Sequence, residues 1–205
     1  DPSREAAVPY ALVGEHLLFS GNLPARTRTL FHAYFDRDPR ISPPETTTFA
    51  ALAGSNRNML DNPSFERGEK MPQGWETMGV EGRGDHVRLQ KTSGGDIGDH
   101  SVRLTVSPDA QTHWTGWHQA VSVAPNTDYL LMSRVRTENI THGHVRIHAH
   151  LHAKRKASEP VIWSAGPDLK GTTGWRTVGG IVRTGADTDR LVVYLTMNAK
   201  GTVYH

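Results

Sequence analysis

Asn62-Pro63-Ser64-Phe65-Glu66, followed by Pro72-Gln73-Gly74-Trp75, opens the region whose reading decides the fold. Downstream of it, β-rich runs recur at even spacing, near 87–92, 101–107, 118–123, 128–138, 144–154, 176–184 and 190–198. Gly94-Gly95, Pro108-Asp109, Pro125-Asn126, Gly143, Gly171, Gly174 and Gly185 punctuate them with turn residues. Short runs of this kind, separated by turns, predict an all-β sandwich. The sequence contains no internal repeat and no long amphipathic helix.

Upstream, His16-Leu17-Leu18-Phe19 and Thr29-Leu30-Phe31-His32-Ala33-Tyr34-Phe35 read as strands on either side of a turn at Asn22-Leu23-Pro24-Ala25. Two strands cannot bury a core alone. Residues 1–58 are therefore expected to be a β-hairpin remnant of a preceding domain plus a linker, the linker running from Ile41-Ser42-Pro43-Pro44 to Thr48. A short helix or an irregular connection follows over 49–60. Residues 59–205 form the sandwich.

With 205 residues and ordinary charged and apolar fractions, the chain has the composition of a globular protein of one domain, or one and a part. It has no cysteine, which excludes disulfides, Cys-ligated zinc and thiol catalysis. No apolar run approaches the roughly 20 residues that span a bilayer, so no membrane partner is expected. The basic residues are scattered rather than clustered, which argues against nucleic acid. Twelve histidines would add 12 positive charges to a net +2 if all were protonated. Their titration range predicts a charge that climbs in mild acid, and with it the affinity for anionic polymers.

Alternation sorts the strands into faces. Over 144–154, Val145, Ile147, Ala149 and Leu151 point one way, and His144, Arg146, His148, His150 and His152 the other. Over 128–138, Tyr129, Leu131 and Val135 oppose Met132, Arg134 and Arg136. Over 190–198, Leu191, Val193, Leu195 and Met197 oppose Val192, Tyr194, Thr196 and Asn198. After Trp117, residues Val121 and Val123 look inward while His118, Ala120 and Ser122 look outward. If these strands share a sheet, the outward set lines one surface of imidazoles, guanidiniums, a phenol and an amide. Planar rings stack on pyranose faces and fixed donors bind hydroxyls, so the surface suits a sugar. Arg134 and Arg136 suit a uronate carboxylate or a sulfate. Trp114 and Trp117 flank the turn Thr115-Gly116, and one is expected in the core, the other on the surface. The same polar face also fits a solvated surface, or one covered by a neighbouring domain.

The opening motif resembles the first strand of carbohydrate-binding modules of families four, nine, sixteen and twenty-two, in which an Asn-Pro-x-Phe-Glu strand leads through a Pro-x-Gly-Trp turn into a jelly roll. The resemblance spans about 58–205. It implies a noncatalytic jelly-roll β-sandwich that binds a polysaccharide or oligosaccharide, anionic ones included. The expected ligand-binding residues are Trp114, Trp117, His118, Arg134, Arg136, His148, His150, His152, Tyr194 and Asn198. It also implies core positions for Trp75 and Trp175, while Trp163 stays open. A structural calcium ion is implied on Glu66, the Ser64 carbonyl and Asp99, with Asp96 as an alternative. The final-strand aspartate of the family pattern is missing, because Gly201-Thr202-Val203-Tyr204 is followed only by His205. The chain is thus expected to be a piece of a larger secreted, extracellular or cell-surface protein, with adjacent domains or a second chain of the same precursor as partners.

Two further readings belong beside this one. A structural sandwich packed on a catalytic domain would bind no sugar. A His-centred enzyme would use the His148, His150, His152 run to hold a metal, or His148 or His150 with Tyr194 as a lyase acid and base. No paired-carboxylate, nucleophile-elbow or phosphate-loop pattern accompanies it, and no catalytic cofactor is expected.

Overall fold

The computed structural model describes residues 10–13, 16–19, 48–154, 160–165 and 169–205. Strands β1 (Tyr10–Val13) and β2 (His16–Phe19) pair antiparallel with each other. The strand expected over 29–35, its turn over 22–25, and the 41–47 part of the linker lie outside the described residues. Helix α1 (Thr48–Ala53) follows.

The remaining strands form one continuous hydrogen-bonded sheet, curled into two layers. They are β3 (Glu76–Met78), β4 (Val87–Ser93), β5 (His100–Val106), β6 (Thr115–Ser122), β7 (Asp128–Ala153), β8 (Val161–Ala165), β9 (Gly171–Arg183) and β10 (Thr188–Tyr204). All their pairings are antiparallel. Two strands serve both layers. The first half of β10 and the second half of β7 lie at the centre of one layer, in the order β3–β6–β10–β7–β8. The second half of β10 and the first half of β7 lie at the centre of the other, in the order β4–β5–β10–β7–β9.

Sequence alone suggests two strands over 128–138 and 144–154. They are one strand, bent where the ladder shifts register. Asn139, His142 and Gly143 all take positive φ at that bend. Gly143 (φ +133°) approaches so closely that a Cβ there would fall 1.7 Å from the Asn198 carbonyl oxygen. Gly201 (φ +115°) meets Asn139 in the same way from β10. These two glycines let the paired strands turn the corner together.

The core lies between the layers. Val145, Ile147, Ala149 and Leu151 face Val135, Leu104 and Val203 across it, with Leu191, Val193, Leu195 and Met197 from β10. The alternation read from the sequence therefore holds. Trp163 on β8 reaches inward, with its ring edge against Gly180 of the opposite layer.

Asn62–Glu66 is not a strand. Asn62 and Phe65 have φ of +51° and +61°, and the segment is a turn. The buried Asn62 amide ties it: Nδ2 donates to the Arg67 and Gln73 carbonyls at 3.0 and 2.9 Å, and Oδ1 accepts from the Arg67 N–H at 2.9 Å. Such local bonds compete with a ladder and win here. Trp75 donates from Nε1 to the Asn62 carbonyl at 3.2 Å, and its ring packs 5.3 Å from that of Phe65. The motif thus seals one end of the core.

Candidate functional site

On the outer side of the first layer, β3, β6, β10, β7 and β8 each present one side chain in a single row. In order they are Glu76, His118, Tyr194, His148 and Ser164. Four strand spacings make the row about 19 Å long. His118 Nε2 lies 3.2 Å from Glu76 Oε2. The His118 and Tyr194 rings stack at 5.4 Å, within 23° of parallel. His150, one step along β7, leans on Tyr194 at 4.4 Å. Trp114, just before β6, meets His148 edge-on at 4.7 Å and lies nearly parallel to His144 at 6.5 Å. His148 Nδ1 is 3.3 Å from Ser164 Oγ. Ile162 stands beside His150 on β8 and is 60% exposed. The result is a broad, partly apolar platform of aromatic and imidazole rings.

The β7 imidazoles of this platform resist protonation. Burial, reinforced by the His150 and Arg146 charges, lowers the His148 pKa to about 4. His150 is lowered by burial and by His152, and His152 by burial and Arg190 against the opposing pull of Asp189. Burial raises Tyr194 despite Arg190 nearby. His118 Nδ1, His148 Nε2, His152 Nε2 and Asn198 Oδ1 are buried without a protein partner. An imidazole short of acceptors resists a second proton, so for His148 and His152 geometry and titration agree. The large rise in charge expected in mild acid is therefore blunted on this face.

The expected site residues divide three ways. His118, His148, His150, His152 and Tyr194 come together here with Trp114, and Asn198 sits opposite His144 at the end of the face. Trp117 does not join them. It points inward, pairs with Leu195 and is wholly buried, so it cannot touch a ligand. Arg134 and Arg136 lie on the other layer's outer face, because the bend in β7 sends its two halves to different layers. Glu76, Ser164 and Ile162 were missed. The run Val161-Ile162-Trp163 after Pro160 is β-prone and would have revealed β8. The three central imidazoles do not converge: His148 and His150 are edge-on at 6.5 Å, and among the described residues no three His, Asp or Glu gather as a metal site.

A cavity of about 520 Å³ lies elsewhere, lined by Phe65, Trp75, Tyr129, Leu131, Leu191 and His205 among others. This is the reverse side of the first layer. Its buried ring, His205, has Nδ1 3.2 Å from Ser133 Oγ, and burial lowers its pKa to about 3.

The residues expected to hold calcium do not fit the ion. Glu66 Oε1 accepts the Asp99 and His100 N–H groups at 3.0 and 3.1 Å, and Oε2 is 2.7 Å from His100 Nδ1. Asp96 is engaged by Arg134 at 2.5 Å. A cation is already in place: the Lys91 ammonium donates to the Glu66 and Gly68 carbonyls at 2.6 and 2.7 Å. Calcium takes six to eight oxygens, and both oxygens of the Glu66 carboxylate already face nitrogen donors.

Among solved structures, a family 16 carbohydrate-binding module (Family 16 Carbohydrate Binding Module-2) aligns over 72% of this chain and 94% of its own, at 17% identity and a TM-score of 0.51. The CBM22-1 xylan-binding domain of Paenibacillus barcinonensis Xyn10C aligns over 69% and 85%, at 17% identity and 0.48. The Stig cyclase Fisc from Fischerella sp. TAU aligns over 71% and 91%, at 13% identity and 0.49. No family model matches the chain, and no curated protein matches it. The likeness is one of fold: the chain is a jelly-roll β-sandwich of the carbohydrate-binding-module type.

Proposed function

We propose that the chain is a noncatalytic carbohydrate-binding module that docks a glycan on the outer face of its first layer. The observation that carries the reading is the ring platform of Trp114, His118, Tyr194, His148 and His150, laid across the strands rather than sunk in a pocket. Such a surface stacks on the apolar faces of successive sugar rings, while the edges at Glu76, Ser164 and Asn198 offer hydrogen bonds to hydroxyls. The fold it shares with a family 16 carbohydrate-binding module supports the same reading. Because its central His148 ring stays neutral at pH 7, the platform offers stacking rather than an anion fork and favours neutral glycans. In a larger extracellular protein, this binding would hold a linked catalytic domain against its polymer.

Affinity electrophoresis against a panel of neutral polysaccharides tests it. Retardation on at least one polymer is expected, and Tyr194→Ala and Trp114→Ala should each weaken it about tenfold. A chain that migrates freely through every polymer at pH 5 and pH 7 would sink the proposal.

A further inference from the structure

The outer face of the second layer carries a different row. Gln90 of β4 pairs with Arg103 of β5, Arg103 with Tyr204 of β10, and Tyr204 with Arg136 of β7. Trp175 of β9 completes it. The Arg136 guanidinium lies 3.9 Å from the Tyr204 ring centroid and 5.6 Å from that of Trp175, so two aromatic rings hold it. Trp175 is therefore not the core residue that the sequence implied. Tyr204 is buried and donates its hydroxyl to Glu138 Oε2 at 3.1 Å. The other Glu138 oxygen lies 3.5 Å from Arg136 Nη2, a loose contact that leaves much of the guanidinium fork unused.

Neighbouring cations mark what is unusual here. Arg134 is fully engaged by Asp96 and by Thr177 Oγ1 at 3.0 Å. Arg88 has Asp85 at 3.4 Å. Arg103 is half-buried in mid-sheet, and among the described residues no acid pairs with it. The row thus holds two guanidiniums against one carboxylate, on a layer whose centre would ordinarily be neutral or paired. Arg103 and Arg136 stand two strands apart, about 10 Å between backbones, on either side of Tyr204 in the register, with the Arg136 guanidinium over its ring.

We infer that this row is a second binding site, for a carboxylate carried on a polysaccharide. Arg103 and Arg136 form the anion fork, Trp175 lies against a sugar ring and Gln90 meets a hydroxyl further along. A polymer fits better than a small acid because the row is open and crosses five strands, so affinity must be gathered along its length. The site stands apart from the imidazole platform, on the outer side of the other layer, and either surface can fail without the other.

Affinity electrophoresis of the full chain in polygalacturonate gels at low salt tests it. Retardation is expected. Arg103→Gln should weaken it about tenfold, the loss of one charge-assisted contact, while changing the melting temperature little, because glutamine keeps most of the side-chain stem and no ion pair among the described residues is lost. Arg136→Lys, which keeps the charge and removes the fork, should weaken it too. Arg190→Gln, which removes an equal charge from the first layer, should not. Free migration of the unaltered chain would overturn the inference. So would an equal loss in Arg190→Gln, or equal retention by single-stranded DNA, since either would reduce the effect to general charge.

Discussion

His205 and His148 are rings held where a proton is unwelcome, the first wholly buried and the second half-buried under Trp114. In an unfolded chain each would titrate near 6.5. In the fold their values fall to about 3 and about 4. Below pH 6.5 the unfolded chain therefore binds protons that the folded chain refuses, and stability declines as pH falls from about 6.5 towards 4 and below. Glu66 adds to this in stronger acid. Partial burial tends to raise its pKa, but hydrogen bonds from the His100 ring and N–H and from the Asp99 N–H outweigh that and hold it below the usual 4.5. Its contribution is present above 4.5 and disappears as pH drops through the folded value. Thermal melts at pH 7, 6, 5 and 4.5 should fall steadily, and His148→Gln should make the decline shallower. The His148 ring, by contrast, should stay neutral from pH 8 to 5. A His148 signal that titrates near pH 6.5 by NMR would contradict the lowered value.

Among the elements, the 62–75 turn and the β7 corner rest on the fewest atoms. Asn62→Ala removes three hydrogen bonds from a buried amide and should cost about 2–3 kcal/mol in a denaturant titration. Gly143→Ala places a Cβ against the Asn198 carbonyl at a φ that alanine avoids, and should cost about 2–4 kcal/mol. A stability within 0.5 kcal/mol of the parent in either case would remove that account. These two places are also where the sequence misled. Period-two alternation correctly turned His148 outward and Ile147 inward, because every face assignment within a strand is local. The Asn62 segment looks like a strand but closes on itself through its own side chain. Gly143 reads as a hairpin turn but is a bend in an unbroken strand. Nothing within β7 says that its two halves join different layers; that follows from the register with β10, a partner some 50 residues away. Hence the imidazoles were found together, and the guanidiniums were wrongly expected beside them.

At the scale of the whole molecule, the sandwich presents two chemically different outer faces: a platform of aromatic and imidazole rings and a guanidinium row. The Lys91 ammonium spans the Glu66 and Gly68 carbonyls beneath them. Lys91 supplies the cation, so adding millimolar calcium or a chelator should move the melting temperature by less than about 1 °C. Lys91→Ala should lower it modestly, as the exposed Glu66 and Gly68 carbonyls lose a shared charged donor. A calcium-dependent rise in the unaltered chain would show that oxygen ligands assemble despite the ammonium.

The sharing of β10 between the layers has a consequence for synthesis. Without it, the earlier strands of this sheet make three separate islands, β3 with β6, β4 with β5, and β7 with β8 and β9. The ribosome releases β10 after all of them, and only then can the islands be stitched into one body. Nascent chains halted before residue 188 should remain open to protease, however long they are held.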